Sequence, residues 1–130
     1  MSEVDKFVVE ASAKTPTVNL DADTGVLLFQ GRSIPENTLD FYSPIYNWID
    51  DYCQSPNEET ILQMRLEYFN TSSSKCFMEL FKKFELISKK GRKVSVEWFF
   101  EVNNHDMEEA GADYQAIIEL PFNIIEVEEI

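Results

Sequence analysis

The sequence predicts a single α/β domain in which helices pack on a mixed β-sheet of about five to six strands. Short β-type apolar runs alternate along the chain with longer segments of helical periodicity, and no linker or internal repeat divides the 130 residues. Strands separated by helices of this length imply right-handed crossover connections and an α/β sheet with helices packed on it. We therefore treat residues 1–130 as one domain and leave its sheet topology open.

The first third of the chain predicts a short strand and a β-hairpin. Phe7–Glu10 is the short strand, and Thr17–Leu20 and Val26–Gln30 are two β-rich runs flanking the turn segment Asp21–Gly25. That turn segment has Asp at alternate positions, as calcium loops do. It lacks their closing Glu, so we interpret it as a hairpin turn.

Two amphipathic helices are predicted in the middle of the chain. Helical spacing of apolar residues predicts the first over residues 37–53, where Pro44 implies either a kink or a helix start at Ser43. The second ends at Gly91, after two lysines that suit a helix C-terminus. Its apolar stripe consists of Phe77, Leu80, Phe81, Phe84 and Ile87.

The remaining segments predict further strands and one polar stretch. Thr60–Phe69, Val94–Val102 and Pro121–Val127 have the apolar content and alternation of strands. Asn103–Ala116 is polar and acidic, and we expect a short helix with loops there.

The formal net charge of −13 argues against non-specific binding of nucleic acid and against docking on anionic lipid. The charge is unevenly distributed: seven of the eleven Lys and Arg residues lie in Lys75–Lys93, and only acidic charges follow Lys93. This asymmetry either steers a basic partner or serves solubility alone.

Cysteine usage and the N-terminus point to a cytoplasmic protein. Cys53 and Cys76 lie within helical patterns and form no CxxC, which is typical of reduced, buried thiols. Residues 1–6 lack the pattern of a signal peptide, and no apolar run is long enough to span a membrane.

Little in the sequence suggests catalysis, a metal or a cofactor. His105 is the lone histidine and lies in an acidic segment, so we expect a surface or capping residue. Asp106, Glu108, Glu109 and Asp113 either bind magnesium weakly or form a solvated acidic face. An acid/base enzyme using these carboxylates is the remaining enzymatic alternative, and no glycine-rich phosphate loop is present.

The most informative stretch is Thr71–Ser74, four hydroxyl residues at the junction between a strand and a helix. A helix N-terminus carries unpaired N–H groups and a partial positive charge, so it accommodates an anion. Asn70 or Thr71 is expected to cap the helix, and a cap can also accept a phosphoryl group. The alternative is a small-molecule or nucleotide-binding domain whose ligand phosphate sits at Thr71–Ser74.

Several motifs together resemble the SiaC family of bacterial regulatory phosphoproteins, over about Ala11 to Ile125. The most specific is Tyr68–Lys75, which reads Tyr-Phe-Asn-Thr-Ser-Ser-Ser-Lys. The others are Gly31–Asn37, Phe41–Ile45, Asp106–Gly111 and Leu120–Phe122.

The resemblance implies a non-enzymatic phosphorylation switch without a cofactor. A cognate kinase would modify Thr71, and a PP2C-like phosphatase would remove the phosphate. The unmodified form would bind and activate a diguanylate cyclase, linking the switch to cyclic-di-GMP and biofilm formation. The surroundings of the phosphosite and its partner contacts would be Asn70, Ser72, Ser73, Ser74 and Lys75.

This logic is similar to that of anti-sigma-factor antagonists with a STAS fold, whose modified hydroxyl also lies between a strand and a helix. The Asp-Ser pair typical of their site is absent here, so the likeness in architecture is an analogy.

Overall fold

The computed structural model describes residues 6–130, so most of the N-terminal segment considered for a targeting signal lies outside the described residues. Six strands and three helices lie within that range. In chain order they are β1 (Phe7–Val9), β2 (Thr17–Asp21), β3 (Val26–Ser33), α1 (Thr38–Gln54), β4 (Glu59–Phe69), α2 (Thr71–Lys89), β5 (Lys93–Glu101), α3 (His105–Ile117) and β6 (Phe122–Val127).

All six strands form one mixed sheet whose spatial order, β1-β2-β3-β4-β5-β6, follows the chain. The first three strands pair antiparallel. A helix connects each later neighbouring pair, and β3 to β6 run parallel. The predicted class, a mixed sheet of five to six strands with helices packed on it, is confirmed.

The core lies on one face of this sheet. The pairing register aligns one buried residue from each of five strands in a row, namely Leu20, Leu27, Leu62, Val96 and Phe122. The three helices cover this face. Phe77 of α2, for example, packs edge-on against Phe29 with ring centroids 6.3 Å apart, and Tyr114 of α3 lies 5.4 Å from Trp98.

Among residues 6–130, no helix lies on the opposite face of the sheet. Its central row contains Asn19, Leu28, Gln63 and Glu97, which are only partly buried. Because a helix covers only one face, buried and partly buried residues alternate along the strands with period two.

The hairpin between β2 and β3 closes through a tight turn, as predicted. The Gly25 N–H donates to the Asp21 carbonyl at 2.9 Å, and Gly25 has a φ of 76°. A Cβ atom at Gly25 would lie 2.3 Å from the Glu59 carbonyl oxygen, so both backbone angle and space require glycine.

The structure decides between the two interpretations of Pro44, because α1 begins at Thr38, six residues before the proline. Asn37 caps the helix, its side chain accepting from the Asp40 N–H at 3.1 Å, and Pro44 lies inside the helix. The alternative start at Ser43 is therefore wrong. Pro44 has no N–H for the Asp40 carbonyl, but both residues are exposed, so water can replace that bond.

The acidic stretch after β5 contains a helix of 13 residues, α3. Asn104 caps it by accepting from the Met107 N–H at 3.3 Å. α3 packs closely on the sheet at Gly111, where an added Cβ atom would lie 2.5 Å from Cδ1 of Trp98. The indole N–H of Trp98 donates to the Met107 carbonyl at 2.9 Å, which anchors the helix.

Candidate functional site

The predicted phosphoacceptor lies at the first residue of α2. β4 ends at Phe69, Asn70 follows in an extended conformation, and Thr71 begins the helix. The Asn70 side chain accepts from the Ser73 N–H at 2.8 Å, so Asn70 is the cap. Thr71 is thereby free of a capping role.

The four hydroxyl residues of this turn differ in accessibility. Thr71 and Ser72 are exposed, and Ser74 is partly buried, its hydroxyl donating to the Thr71 carbonyl at 2.8 Å. Ser73 is 0% exposed. The structure thus brings the predicted residues together in one helical turn, but it directs Ser73 into the core, away from any protein partner.

Ser73 belongs to a buried hydroxyl cluster that joins three elements. Its Oγ donates to the Ser33 carbonyl at 2.9 Å and lies 2.8 Å from the Ser33 Oγ at the end of β3. The Ser33 Oγ in turn lies 2.5 Å from the Tyr42 hydroxyl of α1. These contacts fix the start of α2 against β3 and α1.

Two further tyrosines hold the first turns of α2 from both sides. The Tyr114 hydroxyl of α3 donates to the Ser74 carbonyl at 2.7 Å, and the Tyr46 hydroxyl of α1 donates to the Cys76 carbonyl at 2.9 Å. Burial raises the pKa of Tyr42, Tyr46 and Tyr114 far above the ordinary value for tyrosine. These phenols therefore stay protonated and remain available as donors.

The N-terminus of α2 carries uncompensated positive potential. Its first turn contains no acidic residue. The first three N–H groups of a helix have no partner within it, and Asn70 satisfies only that of Ser73, which leaves those of Thr71 and Ser72. Lys75 is exposed, lies four residues after Thr71 on the same helix face, and forms no salt bridge within residues 6–130.

Two shallow grooves flank this turn, and Lys75 lines both. The groove between α1 and α2, about 630 Å³, includes Leu39, which is 68% exposed, and Ser72. The groove between α2 and α3, about 390 Å³, includes Met78 and Ile117, the latter 61% exposed. Exposed apolar residues beside the turn are suited to contact with a protein partner.

The other sequence candidates lie elsewhere or do not converge. His105 is exposed at the start of α3, with Nδ1 3.7 Å from a carboxylate oxygen of Glu108. Residues 6–130 contain no group of three His, Cys, Asp or Glu side chains placed to hold a metal ion. Cys76 is buried and Cys53 only partly so, and both are free thiols. Over the same range, no helix combines the length and apolar content needed to cross a bilayer.

Sequence reasoning missed the hydroxyl cluster beneath the turn. One signal was available, because Ser73 precedes Phe77 by four residues and Leu80 by seven, which places it on the buried stripe of α2. The parallel pairing that sets Ser33 beside Phe69, and thus near Ser73, depends on strand order and could not be derived from periodicity.

Comparisons with known proteins concern the family and the fold of the chain as a whole. A sequence model of the SiaC family of regulatory phosphoproteins matches residues 9–127. An uncharacterized protein of Pseudomonas aeruginosa (strain UCBPP-PA14) is 28% identical over 116 residues, covering 89% of this chain and 92% of that protein.

Two crystal structures have the same fold. Apo-SiaC from Pseudomonas aeruginosa superposes with a TM-score of 0.84 at 26% identity, covering 93% of this chain and 98% of that one. A chain in the complex of the diguanylate cyclase SiaD with its activator SiaC, from the same organism, gives a TM-score of 0.88 at 27% identity, with coverages of 93% and 99%. Since the family match extends over nearly the whole sequence, this chain belongs to the SiaC family of regulatory phosphoproteins.

Proposed function

We propose that this protein is a non-enzymatic switch, located in the cytosol, whose state is set by phosphorylation of Thr71. A cognate kinase adds the phosphoryl group and a PP2C-like phosphatase removes it. The unmodified form binds and activates a diguanylate cyclase. The related SiaC of Pseudomonas aeruginosa is described as the activator of the cyclase SiaD, which supports this choice of target.

The observation that carries the proposal is the difference in exposure among neighbouring hydroxyls. A kinase must bring the acceptor oxygen to the γ-phosphate of ATP, which requires an accessible side chain. Thr71 meets that requirement at the protruding first residue of α2, whereas Ser73 is enclosed and hydrogen-bonded. Ser72 is also exposed, so Ser72 variants are the natural control.

A phosphate on Thr71 would be compatible with the fold. It would carry about −1.5 to −2 charges at neutral pH. The helix dipole would contribute roughly 0.3–1 kcal/mol and a pair with Lys75 at i+4 roughly 0.2–0.5 kcal/mol. Both terms favour α2 as it stands, so phosphorylation is expected to leave the core unchanged.

The same phosphate would be unfavourable within a protein interface. It would place a dianion between the two grooves that flank α2 and would engage Lys75, which lines both of them. A partner that covers this surface around the neutral Thr71 would have to desolvate the new charge, at a cost of several kcal/mol. The switch then acts by blocking binding rather than by refolding.

The first experiment identifies the modified residue. Phosphate-affinity electrophoresis of the protein from its native cells should show a slower band, absent in Thr71→Ala and retained in Ser72→Ala. A slower band that persists in Thr71→Ala and disappears in Ser72→Ala would move the switch to the neighbouring residue.

The second experiment tests the output. Thr71→Ala should bind a purified cognate diguanylate cyclase as wild type does and raise its activity. Thr71→Asp should bind at least about tenfold more weakly, which corresponds to about 1.4 kcal/mol. Ser72→Asp is the control for charge, because it adds the same charge at the neighbouring exposed residue. Equal cyclase binding by Thr71→Ala and Thr71→Asp would contradict the blocking mechanism.

A further inference from the structure

The far end of α2 presents a depression with an apolar floor and cationic margins. It occupies about 620 Å³ between the C-terminal parts of α1 and α2, with Cys53, Leu86 and Ile87 in its lining. Leu86 is 62% exposed although the helix on which it lies is strongly amphipathic. Lys90 and Arg92 stand at the margin.

These cations are available for a partner. Lys83 also lines the depression, but it forms a salt bridge with Asp50 at 2.7 Å. Lys90 and Arg92 form no salt bridge with any residue between 6 and 130. Asp50 is the acidic residue in the lining, and Lys83 already pairs with it. Lys90 and Arg92 also border an adjoining depression that contains Glu58 and Glu59, but neither carboxylate lies within salt-bridge distance of them.

We propose that this depression, lined by Leu86, Lys90 and Arg92, docks an acidic segment of a partner protein that carries an apolar anchor residue. The anchor would cover Leu86 and Ile87, and flanking Asp or Glu side chains would meet the two unpaired cations. Charge complementarity supports the choice of an acidic partner, because four of the eleven Lys and Arg residues of a chain with a net charge of −13 lie within Lys89–Lys93, at this end of α2.

A compact phosphate is a poorer match for the same place. The carbonyl groups at the C-terminus of α2 carry partial negative charge, which opposes a concentrated anion. Much of the lining is also apolar, and only an organic partner could desolvate it favourably. A peptide satisfies both conditions, because its carboxylates are spread along the chain and separated from its anchor.

The docking surface is independent of the state of Thr71. α2 rises about 1.5 Å per residue, so about 27 Å separate Thr71 from Lys89. That exceeds the Debye length of about 8 Å at physiological ionic strength, and a phosphate on Thr71 is therefore screened from the depression. A partner held here could remain bound through both states of the switch.

Fluorescence anisotropy with a labelled synthetic peptide tests the inference directly. The probe has a Leu-Trp pair between two runs of glutamate, and the protein is the full chain at an ionic strength of about 0.15 M, where the Debye length is about 8 Å. We expect saturable binding that weakens as sodium chloride is added. Lys90→Glu combined with Arg92→Glu should lower the affinity about tenfold, and Leu86→Ala should lower it about threefold.

Lys82→Glu is the matched control, because Lys82 is exposed on the same helix but outside the depression. We expect it to change the affinity less than about twofold, as should Thr71→Ala and Thr71→Asp. The assay uses no kinase, so its result does not depend on whether Thr71 is phosphorylated in cells. Absence of saturable binding, or a loss of affinity in Lys82→Glu as large as that in the variant combining Lys90→Glu and Arg92→Glu, would overturn the proposal.

Discussion

Removing the Ser33 hydroxyl tests how firmly the start of α2 is held. Ser33, Tyr42 and Ser73 are 0%, 2% and 0% exposed, so water cannot replace a lost partner without entering the core. Ser33→Ala removes the contacts to the Tyr42 hydroxyl at 2.5 Å and to the Ser73 Oγ at 2.8 Å. Ser73 keeps its bond to the Ser33 carbonyl, but the Tyr42 hydroxyl loses its partner.

The expected loss of unfolding free energy in Ser33→Ala is about 2–4 kcal/mol, because a buried hydrogen bond contributes about 1 kcal/mol and an orphaned buried hydroxyl adds about 1–3 kcal/mol. Tyr42→Phe should lose only about 1 kcal/mol, since Ser33 remains bonded to Ser73. The double variant contains no orphaned hydroxyl. Its loss should therefore be about 1–3 kcal/mol smaller than the sum of the losses of the single variants.

Urea unfolding followed by the fluorescence of Trp48 and Trp98, and separately by circular dichroism, measures these differences. Ser43→Ala, an exposed serine of α1, is the control and should change stability by less than about 0.5 kcal/mol. Additive single variants, or a Ser33→Ala loss no larger than that of the control, would refute the view that the hydroxyl cluster acts as one unit.

Two further predictions concern other parts of the structure. Gly111→Ala should destabilise the protein by about 1–3 kcal/mol in thermal or urea unfolding, because its Cβ would meet the ring of Trp98, whereas the exposed Ala112→Ser should have little effect. Burial raises the pKa of the Cys53 thiol to about 11, whereas the pKa of a thiol in the unfolded chain is about 8.5. The folded state therefore binds the proton more tightly, and unfolding free energy should fall as pH rises from about 9 to about 11, less steeply in Cys53→Ala. Identical slopes for the two proteins would contradict this attribution to Cys53.

The periodicity of apolar residues predicted the helices and strands well, because the conformation of each segment depends mainly on residues close to it in the sequence. The stripe from Phe77 to Ile87 is buried as a unit, and the alternation around Trp98 marks β5 correctly. At Pro44 the sequence alone allowed two outcomes, a proline inside the helix or a helix that starts at Ser43. The proline ring and the carbonyl that it leaves unpaired lie at an exposed helix face, so packing elsewhere in α1 decided between them.

The sequence predicted where the candidate site lies but not which distant residues hold it in place. The run of hydroxyls after a strand located Thr71 at a helix start, since that depends on sequence neighbours alone. The partners of Ser73 and Ser74 lie 40 residues away, on β3 and α3, and the sequence did not reveal which elements would meet there. The depression at the other end of α2 likewise depends on how α1 and α2 pack, although the cluster of cations was evident.

The agreement between strand order and chain order has a consequence for biosynthesis. Each strand from β2 onward pairs with the strand that precedes it in the chain. As the chain leaves the ribosome from its N-terminus, every new strand therefore finds a template that has already been made. The exposed edge of the growing sheet is covered by the next strand to be synthesised. This shortens the time during which an incomplete sheet could aggregate.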